Sequence, residues 1–325
     1  MSRIVSWLSR LWSRGSSAAT KADDPPSPSP PHPARPIVIP PPGQGSRAAT
    51  PPETGAAPES PAQSETRLLL PWLLGCPAPT DAPITPAEQQ AFNALDETLA
   101  LSELPETLLP RAAALIPQMI ALVRQTDLPT PAIAKQVSRD AQLAAELMRL
   151  ASSPYYRAQG DVTNMEQAIN LIGLQGLQTV IARVLLKPIY QASPGGLSAL
   201  AAPRLWEYSE ALSRHAASLA EPADQPVFDA YLAGLLHGTG WTVALRVLDR
   251  AGIVLDLPPS EPFALRMAES VHRLFGLAAQ RWEITLGFVA FAQDARRNGI
   301  AASTHPMMPV LQWAQQRSMD ELASP

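Results

Sequence analysis

Hydrophobic residues follow a helical period through most of this 325-residue chain. From residue 66 onward, apolar positions recur at steps of three and four residues, as Phe92, Leu95 and Leu99 illustrate. A helix that buries one face requires this spacing. Gly and Pro lie between the helical runs, and no convincing period-two strand interrupts them. The pattern predicts an all-α protein with one multi-helix domain over residues 66–325.

A separate amphipathic pattern occupies residues 1–14. At 100° per residue, its apolar side chains fall within an arc of about 160° and its arginines lie on the other side. Basic charge and two tryptophans favour a helix in a membrane interface, although docking on a partner protein or on the chain's own domain fits as well. The candidate membrane-binding residues are Arg3, Trp7, Leu8, Arg10, Leu11, Trp12 and Arg14.

Residues 15–65 have the composition of a disordered, proline-rich linker. Residues 22–65 hold 14 of the 36 prolines, and no Phe, Trp or Tyr lies between Trp12 and Trp72. Such a segment cannot bury enough apolar surface to offset the entropy lost on ordering. We therefore expect a spacer whose proline-rich stretches favour the extended polyproline II conformation.

Composition narrows the functional classes. The net charge of −4 gives no footprint for nucleic acid, so no nucleic-acid partner is expected. The single cysteine, Cys76, excludes an internal disulfide and fits a reducing compartment. The chain contains no run of 18 apolar residues, so no membrane-spanning helix is predicted. The N-terminus lacks a clean secretory signal. These features predict a cytoplasmic protein, peripheral at the inner membrane if residues 1–14 bind lipid.

Short motifs follow one another over about 150 residues. The first two run from Ser138 to Ser153 and from Ala168 to Gly173 (Ala-Ile-Asn-Leu-Ile-Gly). The next two run from Leu205 to Ser209 (Leu-Trp-Glu-Tyr-Ser) and from Tyr231 to Gly240 (Tyr-Leu-Ala-Gly-Leu-Leu-His-Gly-Thr-Gly). The last comprises His272 to Gly276 and Trp282. In this order they resemble the HDOD family, the HD-related output domain of bacterial signalling proteins, over roughly residues 104–296. The resemblance implies a role in bacterial signal transduction.

Two positions depart from the HD pattern. HD phosphohydrolases hold metal with histidines and an aspartate, but here the first histidine is Tyr208 and the aspartate after His237 is Gly238. Only His237 and His272 are left, and two neutral imidazoles without a carboxylate make a poor hydrolytic site. The sequence thus predicts a degenerate HD-like pocket of Tyr208, His237 and His272, with no catalytic residue, metal or cofactor.

The two histidines have two interpretations. Each is either a buried structural residue, with His237 satisfying a carbonyl at a helix end, or part of the lining of a residual ligand pocket. The glycines after His237 predict that one helix ends at Leu236 and that the next begins at Thr242. His215 is expected to be a packing residue at the core edge.

The sequence favours a non-catalytic signalling module that binds a protein partner. The alternatives are an HD-type metal-dependent phosphohydrolase and a nucleotide-binding sensor without turnover. We expect the recognition surface on exposed helix faces and on loops near residues 155–161 and 193–202. Tyr155, Tyr156 and Arg157 are the leading candidates, because Tyr and Arg are enriched in binding hot spots. The sequence specifies neither the partner nor the oligomeric state.

Overall fold

The structure is a computed structural model that describes residues 61–109, 129–138, 141–153, 162–191, 195–280, 282 and 284–323. Three predicted features lie outside these residues and stay predictions: the amphipathic helix at 1–14, the linker up to residue 60, and the Tyr155-Tyr156-Arg157 candidate. The described α-helices are α1 (Pro61–Leu74), α2 (Pro86–Leu99), α3 (Thr130–Val137), α4 (Ala141–Ala151), α5 (Met165–Leu186), α6 (Gly196–Ala220), α7 (Val227–Arg250), α8 (Glu261–Ala279), α9 (Leu286–Asn298) and α10 (Met307–Ala323).

The all-α prediction is confirmed for the described residues. Short 3₁₀ turns at Glu106–Leu108, Lys187–Tyr190 and Glu221–Ala223 accompany the α-helices. The β contact found there is an isolated bridge between Thr80 and Ser260. Helix α1 begins at Pro61, so helical structure covers the last five positions of the expected linker.

The described residues divide into two compact units. Residues 129–180 belong to the first unit, and residues 61–109 with 181–323 belong to the second. In the first unit, α3 packs against α4, whose Leu143, Leu147 and Ala151 form one buried face at four-residue spacing.

Helix α5 is interrupted at Gly173. Gly173 has φ 71° and ψ 177°, a conformation that a side chain would strain. By length and composition alone, the segment Met165–Tyr190 is apolar enough to cross a membrane. However, 56% of its apolar 18-residue stretch is buried inside the structure. A buried core helix has the same composition, so this segment is weak evidence for a membrane span.

Helix α7 is the centre of the second unit. It packs against α6 on one side and α8 on another, while α10 packs against α6 and α1. Nearly every residue from Asp229 to Leu248 is buried. Because it is covered on all sides, α7 is apolar around its whole circumference rather than along one stripe.

The predicted break after His237 is wrong. Helix α7 runs without interruption from Val227 to Arg250, through Gly238-Thr239-Gly240. The glycines serve close packing: a Cβ added at Gly240 would lie 2.2 Å from the carbonyl oxygen of Val271 on α8. Glycine therefore lets two helix backbones approach here, where the sequence pattern suggested a turn.

Helix α6 begins earlier than expected, which corrects part of the predicted recognition loop. Residues 196–202, predicted as an exposed loop, form its first turns, and Ala201 is fully buried. The carboxylate of Asp249 on α7 accepts hydrogen bonds from the backbone amides of Leu197 (2.6 Å) and Ser198 (3.0 Å). This carboxylate satisfies orphan donors at the helix start, so the helix does not need a capping residue of its own.

A buried carboxylate joins the starts of α2 and α8. Glu88, 1% exposed, accepts hydrogen bonds from the Thr85 amide (2.8 Å), the Ser260 amide (2.7 Å) and the Ser260 hydroxyl (2.8 Å). Thr85 and Ser260 are the N-cap residues of α2 and α8. Three donors satisfy most of the acceptor sites of one buried carboxylate, and the arrangement fixes the start of the helix that carries His272.

Candidate functional site

Two of the predicted pocket residues meet in the middle of the second unit. His237 projects from α7 and His272 from α8, and His237 Nε2 lies 3.2 Å from His272 Nδ1. The residues are 2% and 0% exposed. A hydrogen bond at this distance needs one protonated and one unprotonated nitrogen, so one neutral imidazole donates to the other. His237 is thus a partner of His272, and the expected bond to a helix-end carbonyl is wrong because His237 lies in mid-helix.

Aromatic rings surround the histidine pair. The ring of Phe275 lies 5.5 Å from that of His237, and the ring of Phe291 lies 5.9 Å from that of His272, measured between centroids. Phe275 and Phe291 are 5.9 Å apart, and Phe291 also contacts His305 at 5.4 Å. The pair is therefore held in a largely apolar interior.

Burial keeps both imidazoles neutral. Desolvation lowers the pKa of His272 to about 4. It lowers the pKa of His237 well below its ordinary value, and repulsion from His272 acts in the same direction. His237 Nδ1 and His272 Nε2 are buried and have no hydrogen-bond partner within the described part of the chain. Among the described residues, no carboxylate forms a hydrogen bond with either ring, so protonation of the pair is costly.

Gly238, at the position of the HD aspartate, lies where α6 and α7 pack closely against each other. A Cβ added there would lie 2.3 Å from Ser209 Oγ and 2.9 Å from Tyr190 Cε1. One turn earlier, a Cβ at Gly234 would lie 2.7 Å from Ser213 Cα. Position 238 thus opposes 209 and position 234 opposes 213, so the helices run antiparallel with their backbones in close contact.

Tyr190 contacts both α6 and α7 beside Gly238. Its hydroxyl donates a hydrogen bond to the carbonyl oxygen of Leu235 on α7, and its ring lies 5.6 Å from that of Trp206 on α6. Burial raises the pKa of the phenol, so Tyr190 stays protonated and remains a donor. The side chain is 2% exposed and fills space that a larger residue at 238 would need.

Tyr208, the third predicted pocket residue, lies on α6. It is fully buried, and its hydroxyl lies near Gln315 of α10 without a well-formed hydrogen bond. Among the described residues, no ring contact or hydrogen bond joins it to His237 or His272. A direct contact is therefore shown for two of the three predicted residues, His237 and His272.

The residues present do not fit a metal centre of the HD type. A carboxylate at 238 is absent, and Ser209 and Tyr190 occupy its space. Within the part of the chain that the structure describes, no group of three or more His, Cys, Asp or Glu side chains could hold a metal ion. The ligand set lacks the anionic oxygen that hard divalent ions prefer.

Sequence reasoning missed Tyr190 and Ser209, which determine what fits at position 238. Ser209 lies beside Tyr208 in a recognised motif, so its place on α6 could have indicated its role, whereas no pattern marked Tyr190. His215 lies at the core edge as expected, and its Nε2 is 2.8 Å from Glu321 Oε2. Glu321 also accepts a hydrogen bond from Arg214 at 2.6 Å. These residues join α6 to α10.

Part of the chain matches a known domain family. Residues 109–261 match the model of the HDOD domain family. No protein with a curated description matches the chain. Among solved structures, an HDOD domain protein of unknown function from Geobacter sulfurreducens is 18% identical, with a TM-score of 0.43, over 71% of this chain and 76% of its own.

Two further solved structures are similar. A Shewanella amazonensis SB2B protein, provisionally described as a metal-dependent phosphohydrolase, is 15% identical with a TM-score of 0.48, over 74% of this chain and 90% of its own. A Marinobacter aquaeolei VT8 protein, provisionally described as a signal transduction protein, is 20% identical with a TM-score of 0.41, over 78% of this chain and 55% of its own. These values are too low for any property of those proteins to be transferred. The family match rests on the chain itself, and it identifies an HDOD domain at residues 109–261.

Proposed function

We propose that this chain is a non-catalytic signalling module that acts by binding a protein partner. The observation that carries the proposal is the packing at Gly238. HD hydrolysis needs a carboxylate after the histidine, and here that position has neither the side chain nor the room for one, because Ser209 Oγ lies 2.3 Å from where a Cβ would be. The two remaining histidines bond to each other inside an aromatic cluster.

A module that does not hydrolyse its ligand acts through the outer surface of its helices. Binding residues tend to lie on loops and exposed faces of such scaffolds. The Tyr155-Tyr156-Arg157 segment has the residue types that dominate binding hot spots. At the N-terminus, residues 1–14 would place the module at the inner face of a membrane, since their arginines and tryptophans suit an anionic interface.

The lack of catalysis is tested with the purified full-length protein. We expect no stoichiometric Fe, Mn or Zn by inductively coupled plasma mass spectrometry. We also expect no hydrolysis of bis(p-nitrophenyl) phosphate above the rate of the His237→Ala variant. His215→Ala is the matched control, because it removes a histidine outside the pair. Two metal ions per chain, with activity lost in His237→Ala and kept in His215→Ala, would overturn the proposal.

Partner binding is tested by affinity capture with the full chain and identification by mass spectrometry. The Tyr155→Ala and Arg157→Ala variants are expected to reduce capture of a specific protein while their thermal melts stay unchanged. Capture that is equal in wild type and variants would move the recognition surface elsewhere. A melting temperature raised by added nucleotide, with no turnover, would favour the nucleotide sensor.

A further inference from the structure

Helix α10 is an amphipathic helix that packs against α6. It lies outside residues 109–261, which match the HDOD family. Its buried residues form one stripe, while Trp313 and Arg317 on the opposite face are exposed. The buried stripe includes three methionines, Met307, Met308 and Met319. Because methionine is flexible and fills irregular gaps, the surface that receives this stripe can accept other apolar side chains.

Helices α6 and α10 run parallel in a constant register. Tyr208 on α6 lies beside Gln315 on α10, and Arg214 on α6 donates a hydrogen bond to Glu321 on α10. The two residues of each pair are 107 positions apart in the chain. A helix that replaces α10 in this register therefore presents its side chains to the same two points of α6.

Tyr208 offers a hydrogen-bond donor that α10 leaves unsatisfied. The residue is fully buried, and its hydroxyl has no partner within the part of the chain that the structure describes. Burial raises the pKa of the phenol, so the hydroxyl keeps its proton. Leu205 and Leu212, one turn to either side on α6, are buried as well. An unsatisfied buried donor costs free energy, and a carboxylate at the position of Gln315 would recover it through a charge-assisted hydrogen bond.

A carboxylate already occupies the second point of the register. Glu321 accepts a hydrogen bond from Arg214 at 2.6 Å, and its other oxygen lies 2.8 Å from His215 Nε2. All three side chains are partly exposed, so this contact holds α10 weakly. The buried hydroxyl of Ser318 donates to the carbonyl of Ala314 on α10 itself rather than to α6. The face of α6 thus complements two acidic side chains, and α10 supplies one of them.

We propose that this face of α6 is a docking site for an amphipathic helix of a partner protein, and that α10 is its built-in occupant. The partner helix carries carboxylates at the positions of Gln315 and Glu321, facing Tyr208 and the Arg214–His215 pair. Amphipathic helices bind apolar grooves through anchors spaced in this way. The partner helix displaces α10 because it satisfies the Tyr208 hydroxyl, which α10 does not. This inference rests on the proposed protein-binding function and adds to it the chemistry of the partner.

A synthetic peptide tests the docking site in the full-length protein. The peptide copies residues 305–323 with Gln315→Glu, which supplies the second carboxylate, and with Arg317→Gln, which removes its own trypsin site. In the protein, the bond after Arg317 is protected while α10 is docked, since it lies within a helix and Ser318 is fully buried. Displacement of α10 should therefore speed trypsin cleavage after Arg317, which mass spectrometry of the released fragment measures.

The acidic peptide is compared with the same peptide that keeps Gln315. We expect the acidic peptide to reach half of its maximal effect at a concentration about tenfold lower. In Tyr208→Phe this difference should disappear, because the donor that distinguishes the two peptides is gone. Glu321→Gln in the protein should lower the required concentration of both peptides about threefold, since α10 is held less firmly. Glu97→Gln, exposed on α2, is the matched control and should leave it unchanged.

Circular dichroism melts verify that each variant is folded. Cleavage after Arg317 that neither peptide accelerates would disprove the docking site, and so would an advantage of the acidic peptide that persists in Tyr208→Phe. Either result leaves the proposed function standing, because that function is judged by capture of a protein partner. Failure to capture any protein, in a chain whose α10 the acidic peptide displaces, would count against the proposed function alone.

Discussion

Acidification from pH 7 to pH 5 is expected to destabilise the second unit through the His237–His272 pair. Burial holds the pKa of His272 at about 4, against an ordinary value of 6.5, and burial and the neighbouring His272 lower that of His237 well below 6.5. The unfolded chain therefore binds more protons than the folded chain as the pH falls below 6.5. The stability from neutral burial is complete above that value and is lost as the pH falls toward 4.

The size of the effect follows from these values. At pH 5, a histidine whose pKa is lowered from 6.5 to 4 loses about 2 kcal/mol of folding free energy relative to pH 7. The lowered pKa of His237 adds to the loss in the same direction, and even about 2 kcal/mol is a substantial part of a typical domain stability. Desolvation also lowers the pKa of the less buried His215 and His305, which adds in the same direction. The raised pKa of Asp229 opposes the loss only in the more acidic carboxyl range.

Urea unfolding at pH 7, 6 and 5 measures this loss. The unfolding free energy of the wild type should fall by at least about 2 kcal/mol over that range. His272→Phe, which keeps an aromatic ring beside Phe275 and Phe291, should show a smaller fall, because one titrating group is gone. His32→Gln removes a histidine from the proline-rich segment and should keep the full dependence. An unfolding free energy that is the same at pH 5 and pH 7 would refute neutral burial of the pair.

Three further expectations concern other parts of the chain. Gly238→Ala should lower the unfolding free energy by about 1–3 kcal/mol through overpacking, and Ser209→Ala in the same chain should recover part of it, which a double-mutant cycle measures. Glu88→Gln should cost about 1–3 kcal/mol by disrupting three buried hydrogen bonds, whereas Glu97→Gln on the exposed face of α2 should be neutral; thermal melts compare them. Anionic vesicles should bind the full chain with a blue shift of tryptophan fluorescence, weakened by salt and by Trp7→Ala with Trp12→Ala; unchanged fluorescence in lipid would favour a protein contact for residues 1–14.

Helical periodicity was sufficient to predict the fold class, because each helix of the second unit buries a face against its neighbours. The starts of α2 and α8 carry local signals, as Thr85 and Ser260 are ordinary N-cap residues. The start of α6 carries none, since its caps come from Asp249, about fifty residues away in the sequence. Local patterns therefore located most helices but placed this boundary seven residues late.

The candidate site also depends on contacts between distant residues that local sequence patterns do not reveal. The motifs identified His237 and His272, but their contact joins residues 35 apart on separate helices. Gly238 was noticed as a missing ligand, yet its effect depends on Ser209 and Tyr190, which only the packed structure brings to it. Glycine in a helical run is compatible with a break or with a close crossing, and the neighbouring helix decides between them.

The bond between Glu88 and Ser260 has a consequence for how the protein is made. The two residues are 172 positions apart, and the residues of the first unit lie between them in the chain. At a synthesis rate of 5–20 residues per second, α2 waits roughly 10–35 s for the partner that its buried carboxylate requires. The apolar faces of α1 and α2 are without their C-terminal cover during that interval. The early helices of the nascent chain are therefore expected to be clients of ribosome-associated chaperones, and the first unit can complete its own fold before the second unit closes.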